Sequence, residues 1–281
     1  MVDLNGRELA GFIKERQAHQ VASLKRSPHL LIIRDSDNPV IAKYVNLKIR
    51  YGEDIGIRTT DYLAKSTDDI RETILRANED EGVDGIILQL PIADKSKTDE
   101  LTALIAPEKD VDGLGNIYST QDSNNSETSN QAIRPIIYDS ATATAINWLL
   151  TGYNIELRNR KIAIVGRGKL VGAPLYRMYK DSGYDVTLFH RGSDLTELQN
   201  YDIIITATGA PGLISSSMVR PGAVVVDAGT ASEKGILKGD VADDVRTRTD
   251  LAAITPKLGG VGPLTVSCLF DHVIQTSWRN L

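Results

Sequence analysis

Three glycines, Gly166, Gly168 and Gly172, stand in the segment KIAIVGRGKLVGAPLYR at residues 161–177, where an aliphatic run passes into a turn and then a helical pattern. In that setting glycines let the backbone approach a pyrophosphate, and the helix N-terminus offers unpaired N–H groups and partial positive charge. The chemistry suggested is dinucleotide binding. The spacing, G-x-G-x-x-x-G, is one residue longer than the common NAD fingerprint, and a turn without a ligand would use the same residues. The next apolar run, VTLFHRGSD, bears on which dinucleotide. An NAD site carries Asp or Glu there for the ribose hydroxyls, whereas this chain offers His190, Arg191 and Ser193, with Arg191 placed 19 residues after Gly172. A cation suits a 2′-phosphate, so the reading favours NADP over NAD. Asp194 stands as an alternative ribose ligand, and solvent as the alternative destination of Arg191.

A second group lies nearer the start. Tyr44 and Lys48 are four residues apart in a helical pattern and so share one face. That row flanks Ile41, Val45 and Ile49, expected to be buried, so both residues are placed to border a cleft, although such pairs also decorate ordinary helix exteriors. Gln89 ends an apolar strand, where ligand sites of parallel sheets lie. A polar strand end satisfied by backbone would look the same. Gly259, Gly260, Gly262 and Pro263 form either a tight loop admitting close backbone approach to a ligand or a turn leading into a helix.

The elements that must position these residues alternate. HLLIIR (29–34) reads as a buried strand, followed by a helix through VIAKYVNLKIRYGEDI with Pro39 at its first position, Asn38 or Asp37 as cap, and Gly56 as stop. STDDIRETILRANED repeats the scheme with a Ser66 or Thr67 cap, VDGIILQL (83–90) is a second buried strand, and the helix TDELTALIA ends at Pro107. Helices between strands imply right-handed crossovers and parallel sheets. Residues 118–131, YSTQDSNNSETSNQ, are polar and mark a boundary or surface excursion. A second series follows: KIAIVG, DVTLFH, DIIITAT, AVVVDAG and AAIT, several of them near-continuous aliphatic runs of the kind found where a parallel sheet is covered on both faces. The last stretch, PLTVSCLFDHVIQTSWRN, reads as a helix that packs back on the first unit. The fold class expected is α/β, with two α/β domains, the second a Rossmann-like doubly wound parallel sheet.

Composition narrows the function classes. At 281 residues, with 41% hydrophobic and 25% charged side chains, the chain suits a globular protein of two ordinary domains. A net charge of −5, from 32 basic and 37 acidic residues, argues against a general nucleic-acid or membrane-surface binder. No apolar run reaches bilayer-spanning length, and the opening MVDLNGRELAGFIKERQ reads as an amphipathic helix rather than a signal peptide. Cys268 is the only cysteine, which fits a reducing compartment, and the four histidines, His19, His29, His190 and His272, show no metal-ligand spacing. A cytoplasmic, metal-free protein is expected.

With these segments in hand, the chain resembles the bifunctional methylenetetrahydrofolate dehydrogenase/methenyltetrahydrofolate cyclohydrolase family along its whole length. KYVNLKIRYGEDIGI is similar to the family's Y-V-x-x-K helix, GIILQLPI to its Q-L-P segment, and PEKDVDGLG to its K-D-V-D-G loop. VGRGKLVGAPL resembles its V-G-R-S-x-x-V-G-x-P cofactor loop, while GILKGDV and ITPKLGGVGPLTV match its G-D-V and T-P-x-x-G-G-V-G-P-x-T segments. The resemblance implies a folate-binding catalytic domain over 1–117 plus 264–281, an NAD(P)-binding domain over 118–263, folate in a cleft between them, and a homodimer. It further implies oxidation of 5,10-methylenetetrahydrofolate to the methenyl form with NADP, then hydrolysis to 10-formyltetrahydrofolate. Lys48 would be the general acid/base, Tyr44 would stack on the folate ring system, Gln89 would orient and tune Lys48, and Asp112 would accept hydrogen bonds from the pterin. The K-D-V-D-G register selects Asp112 over its neighbour Asp110. Gly259, Gly260 and Pro263 would line the substrate site. Gly166, Arg167, Gly168, Gly172, Pro174, Arg191, Ser193, Thr208, Gly209 and Thr230 would hold the cofactor.

The sequence also departs from the family pattern. SATATA (140–145) stands where the family carries a P-C-T-P-x-G turn, keeping only Thr142. Gly168 replaces the usual serine, Ala93 a second proline after QLPI, and Lys257–Leu258 the common Val-Pro. A dehydrogenase with weak or lost cyclohydrolase activity, a non-catalytic folate- or nucleotide-binding homologue, and another dehydrogenase class such as the shikimate type are the competing readings.

Overall fold

The computed structural model describes residues 1–115, 138–233 and 236–279. The polar run 118–131 lies outside them. The chain divides into two compact units, each with its own sheet: Ile13–Ala141 with Cys268–Leu281, and Met1–Phe12 with Thr142–Ser267.

The first of these is built on a three-stranded parallel sheet, β2 (His29–Arg34), β3 (Arg58–Leu63) and β4 (Gly85–Leu88), in the order β3-β2-β4. Leu31, Ile33, Ile86 and Leu88 join one core with Ile70 and Ile74 of α3 (Thr67–Glu79) and Leu101 of α4 (Thr98–Ala103). Leu30, Ile32 and Ile87, which alternate to the other face, are buried as well. That two-sided burial explains why β2 and β4 read as continuous apolar runs. Edge strand β3 escapes the sequence reading because RTTDYL is mostly solvent-facing and carries no apolar signal.

The helix α2 (Pro39–Ile55) links β2 to β3. Of the two candidate caps, Asn38 acts, its Oδ1 accepting the Val40 N–H at 2.9 Å, and Gly56 ends the helix at φ +82°. Of the row expected to be buried, Ile41 and Val45 are buried but Ile49 is only half-buried. The stripe continues instead through Gly52 and Ile55, because the i, i+4, i+11, i+14 positions return to one azimuth on a 3.6-residue helix. Lys48, three residues after Val45, stands along that stripe. Ser66 caps α3, its Oγ accepting the Asp69 N–H at 3.2 Å.

The other unit carries a six-stranded sheet of β1 (Val2–Asp3), β5 (Ile162–Val165), β6 (Val186–Phe189), β7 (Ile203–Thr206), β8 (Val224–Asp227) and β11 (Ala253–Ile254), in the order β1-β11-β8-β7-β5-β6. Every pairing is parallel. From β5 the chain steps to β6 on one side and to β7, β8 and β11 on the other, so the loop after β5 lies at a topological switch point, where doubly wound sheets bind ligands. The opening residues do not all form a helix. Val2 and Asp3 pair with Ala253 and Ile254, and α1 (Gly6–Ala22) starts only afterwards. Around the sheet run α5 (Ala141–Gly152), α6 (Gly172–Asp181), the short hairpin β9 (Ala231–Glu233) and β10 (Ile236–Lys238), and α7 (Asp243–Arg246). The SATATA segment, where the family pattern has a turn, runs straight into α5 with Ala141, Ala143 and Ala145 fully buried. The last helix, α8 (Val261–Arg279), runs through the end of this unit, and its residues from Cys268 onward belong to the three-stranded unit. No helix among the described residues is long and apolar enough to cross a membrane.

Candidate functional site

In the three-stranded unit, α2 and the end of β4 bring Lys48 and Gln89 together. The Lys48 Nζ donates to Gln89 Oε1 at 2.7 Å, and the Gln89 amide in turn donates to the Leu90 carbonyl at 3.0 Å. That second bond fixes which end of the amide faces the lysine. The Gln89 backbone N–H donates to the Ile33 carbonyl, so the residue is held at the carboxyl end of the sheet between β2 and β4. Burial pushes the Lys48 ammonium below the ordinary lysine range, opposed by the charge of Asp112. The same burial raises the Asp112 carboxyl, opposed by Lys48. The two groups therefore face one another electrically, and each favours the other's charged form. Tyr44, one turn before Lys48, is half-buried, and its hydroxyl has no hydrogen-bond partner among the described residues; burial raises its pKa.

The loop bearing Asp112 is held by residues to which sequence reading gave no task. Lys109 is buried, and its Nζ donates to the carbonyls of Ala77, Asn78 and Asp80 at 2.8–2.9 Å, satisfying the C-terminal end of α3. Asp110 accepts the N–H groups of Gly113 at 3.1 Å and Gly115 at 2.6 Å, and burial lifts its carboxyl to about 6. On α8, His272 Nδ1 takes the Val111 carbonyl at 2.8 Å, and its ring stacks on Tyr138 at 4.2 Å between centroids. The Asp112 carbonyl accepts the Ala141 N–H. The loop is thus fixed on every side while the Asp112 carboxylate itself accepts no hydrogen bond among the described residues. Of the two aspartates of this loop, Asp110 folds it, while Asp112 is coupled in charge to Lys48.

The six-stranded unit holds the other group. Gly166 follows β5 with φ +107°, and α6 starts at Gly172 without a side-chain cap. A Cβ on Gly172 would lie 1.8 Å from the Gly166 carbonyl oxygen, so the tight strand-to-helix turn excludes any larger residue. At Gly168 a Cβ would meet nothing within 4 Å. Pro174 is buried in the first turn of α6, where its missing N–H costs no helical bond. Arg167 and Arg191 are exposed, and neither guanidinium has a hydrogen bond or ion pair among the described residues. Ser193 Oγ accepts the His190 N–H at 3.0 Å, closing the short turn that carries Arg191. Asp194, the alternative ribose ligand, is engaged locally: its Oδ1 accepts both the N–H and the hydroxyl of Thr196. Thr208 and Gly209 follow β7, and Thr230 follows β8. The candidate cofactor residues therefore collect at the carboxyl ends of adjacent strands β6, β5, β7 and β8. A turn that admits no side chain at Gly172, an uncapped helix N-terminus and two guanidiniums unpaired among the described residues together fit an NADP-type dinucleotide.

Gly259, Gly260 and Pro263 belong to the six-stranded unit, where Gly259 has φ +91° and its carbonyl accepts the Arg7 N–H at 3.2 Å. A Cβ on Gly6 would lie 1.8 Å from the Gly260 carbonyl oxygen, so this turn packs directly on the start of α1, and Pro263 lies in the first turn of α8.

Residues 4–112 match the family model described as tetrahydrofolate dehydrogenase/cyclohydrolase, catalytic domain, and residues 140–281 match that of the tetrahydrofolate dehydrogenase/cyclohydrolase, NAD(P)-binding domain. The bifunctional protein FolD of Lactobacillus acidophilus is 35% identical over 290 aligned positions, covering 98% of this chain and 97% of the relative. The crystal structure of the bifunctional FolD enzyme from Campylobacter jejuni superposes with a TM-score of 0.89 at 30% identity, covering 100% of both chains. The Trypanosoma brucei FolD, solved with NADP cofactor and inhibitor, gives a TM-score of 0.86 at 29% identity, covering 99% of this chain and 98% of the other.

Proposed function

The chain belongs to the tetrahydrofolate dehydrogenase/cyclohydrolase family, and from that premise we propose that it oxidises 5,10-methylenetetrahydrofolate to the methenyl form with NADP and then hydrolyses that form to 10-formyltetrahydrofolate. The observation that carries this reading is the buried Lys48 amine held at 2.7 Å by Gln89.

Lys48 acts in the hydrolytic step. Burial lowers its pKa, so a larger share of the side chain is neutral amine near physiological pH, able to take a proton from water attacking the methenyl carbon. The positive charge of the methenyl substrate lowers it further. Gln89 Oε1 fixes the direction of the amine, and Asp112 accepts N–H groups of the pterin while opposing the fall in the lysine pKa. The Tyr44 ring stacks on the folate ring system.

Bound NADP supplies the acceptor for the hydride that leaves the one-carbon bridge. Gly166, Arg167, Gly168, Gly172 and Pro174 bind its pyrophosphate side through the turn and helix N-terminus. Arg191 with Ser193 reads the 2′-phosphate, and Thr208, Gly209 and Thr230 flank the cofactor from the neighbouring strand ends. The NADP held by the Trypanosoma brucei relative supports this choice. Gly259, Gly260 and Pro263 contact substrate through backbone. The protein works in the cytoplasm as a homodimer, a setting with which its single cysteine agrees.

Incubating the purified protein with methylenetetrahydrofolate and either NADP or NAD tests the reading. Reduced cofactor and methenyl absorbance are followed separately. Reduction with NADP and only transient methenyl absorbance is the expected result. Methenyl accumulation to the spontaneous hydrolysis limit would leave a dehydrogenase alone, and no reduction with either cofactor would leave a binding protein.

A further inference from the structure

Two carboxylates at the far ends of β8 and the β10–α7 connection have no part in the chemistry above, yet both are built into the sheet. Asp227 is tied down completely. Its Oδ1 accepts the N–H groups of Gly229 at 3.1 Å and Asp240 at 3.0 Å, and its Oδ2 accepts the Val241 N–H at 3.1 Å and the Arg246 guanidinium at 2.5 Å. Arg246 also donates to the Thr255 carbonyl, so this residue locks β8 to the segment after β11. Asp240 differs. It is fully buried, its Oδ2 accepts the Thr208 backbone N–H at 2.6 Å, and its Oδ1 is buried with no partner among the described residues.

The backbone is shaped around that carboxylate. A Cβ on Gly229 would lie 2.1 Å from the Asp240 carboxyl carbon, and one on Gly239 would lie 2.0 Å from Asp227 Oδ2. The exits of β7 and β8, which carry Thr208, Gly209 and Thr230, therefore both rest on Asp240: the first by a hydrogen bond, the second by direct contact at Gly229. A buried carboxylate is costly unless its acceptors are used, and the Thr208 N–H uses one of them here.

We propose that Asp240 is a positioning residue for the dinucleotide, acting through Thr208 to set the loop after β7 against the cofactor. The inference rests on the NADP-dependent reading of the six-stranded unit. It predicts a selective defect. Removing the acceptor frees the loop that touches cofactor but leaves Lys48, Gln89 and Asp112 as they were. Hydrolysis of methenyltetrahydrofolate needs no cofactor, so it serves as an internal control in the same preparation.

The experiment compares wild type, Asp240→Ala and Asp240→Asn, each checked for a cooperative thermal melt. In Asp240→Ala the KM for NADP rises roughly tenfold, the loss of one charge-assisted hydrogen bond. The kcat, the KM for methylenetetrahydrofolate and the hydrolysis rate stay within about twofold on the same reasoning. Asp240→Asn keeps an oxygen to accept from Thr208 and restores the KM for NADP to near the wild-type value. Should Asp240→Ala lose its melt, Asp240→Ser takes its place with the same expected rise. A KM for NADP unchanged in the folded variant, or one raised equally by Asn and Ala, overturns the inference. Loss of hydrolysis in step with the dehydrogenase would show a purely structural role and overturn it as well. Wild-type protein that fails to reduce NADP overturns the underlying reading instead.

Discussion

The two units of this chain build their candidate sites from opposite materials. In the three-stranded unit the working groups are side chains, half-buried and electrically coupled, with Lys48 held by Gln89 and opposed by Asp112. In the six-stranded unit the working groups are largely backbone: a turn at Gly166–Gly172 that admits no Cβ at Gly172, an uncapped helix end, and exposed arginines without partners among the described residues. The difference follows from the tasks. Moving a proton needs one group whose pKa is displaced by its surroundings, and displacement needs burial. Holding a polyanion needs many weak donors and open access, and burial would only hinder it. A side-chain site should therefore fail through loss of one functional group. A backbone site should fail through shape.

Lys48→Met is the largest test of that contrast. It should lower methenyl hydrolysis by about 10²–10⁴-fold, to the spontaneous rate, the range typical of a lost general base. The dissociation constant for NADP, measured by fluorescence titration, should not change. A hydrolysis rate that stays well above the uncatalysed one would remove Lys48 from its role.

Shape is tested by Gly168 and Gly172, two glycines of the same turn whose surroundings differ. Gly172→Ala forces a methyl group to within 1.8 Å of the Gly166 oxygen, so the turn must open. An overpacking cost of about 1–3 kcal/mol and loss of NADP binding are expected. The Cβ added by Gly168→Ser meets nothing within 4 Å, and the thermal midpoint should not change. If both variants melt and bind alike, the backbone cradle is not what holds the cofactor.

Arg191→Ala addresses the charged rim of the same site. Removing one exposed charge-assisted contact should weaken NADP by about tenfold, weaken NAD far less, and lose much of its effect at high salt. Equal weakening of both cofactors would take the 2′-phosphate away from Arg191.

The smallest effect is a displacement along the pH axis. Asp112 favours the charged form of Lys48, so Asp112→Asn should let burial lower the lysine pKa further. The neutral amine is the base, and it forms as pH rises through that pKa. The ascending limb of the hydrolysis profile should accordingly move to lower pH in the variant. A limb that moves to higher pH would mean that Asp112 and Lys48 are not coupled in this sense.

Much of this was legible in the residues. The strands β2, β4, β5, β7 and β8 are buried on both faces and announce themselves as aliphatic runs, and α2 is bracketed by Asn38, Pro39 and Gly56. The glycine turn was readable because its constraint is local: strand, turn and helix are consecutive. Family order then supplied Tyr44, Lys48, Gln89 and Asp112. What stayed hidden were elements without an apolar signature, such as the exposed edge strand β3 and the two-residue β1, whose partner lies at Ala253–Ile254. The stripe on α2 was extended to Ile49, when the helix turns it toward Gly52 and Ile55.

The sequence by itself determined the α/β class, the parallel sheets, the glycine turn and the identity of the groups available for chemistry. These depend on periodicity and on conformational freedom, which act between near neighbours along the chain. Tertiary structure alone decided how similar groups were divided among tasks. Asp110 folds its own loop while Asp112 is coupled in charge to Lys48, Asp194 caps a turn while the Arg191 guanidinium has no partner among the described residues, and Asp240 comes to rest beneath Thr208. The reason is physical: a carboxylate's role is set by burial and by the donors within about 3 Å of it, and those donors lie from a few to many tens of residues away in the chain.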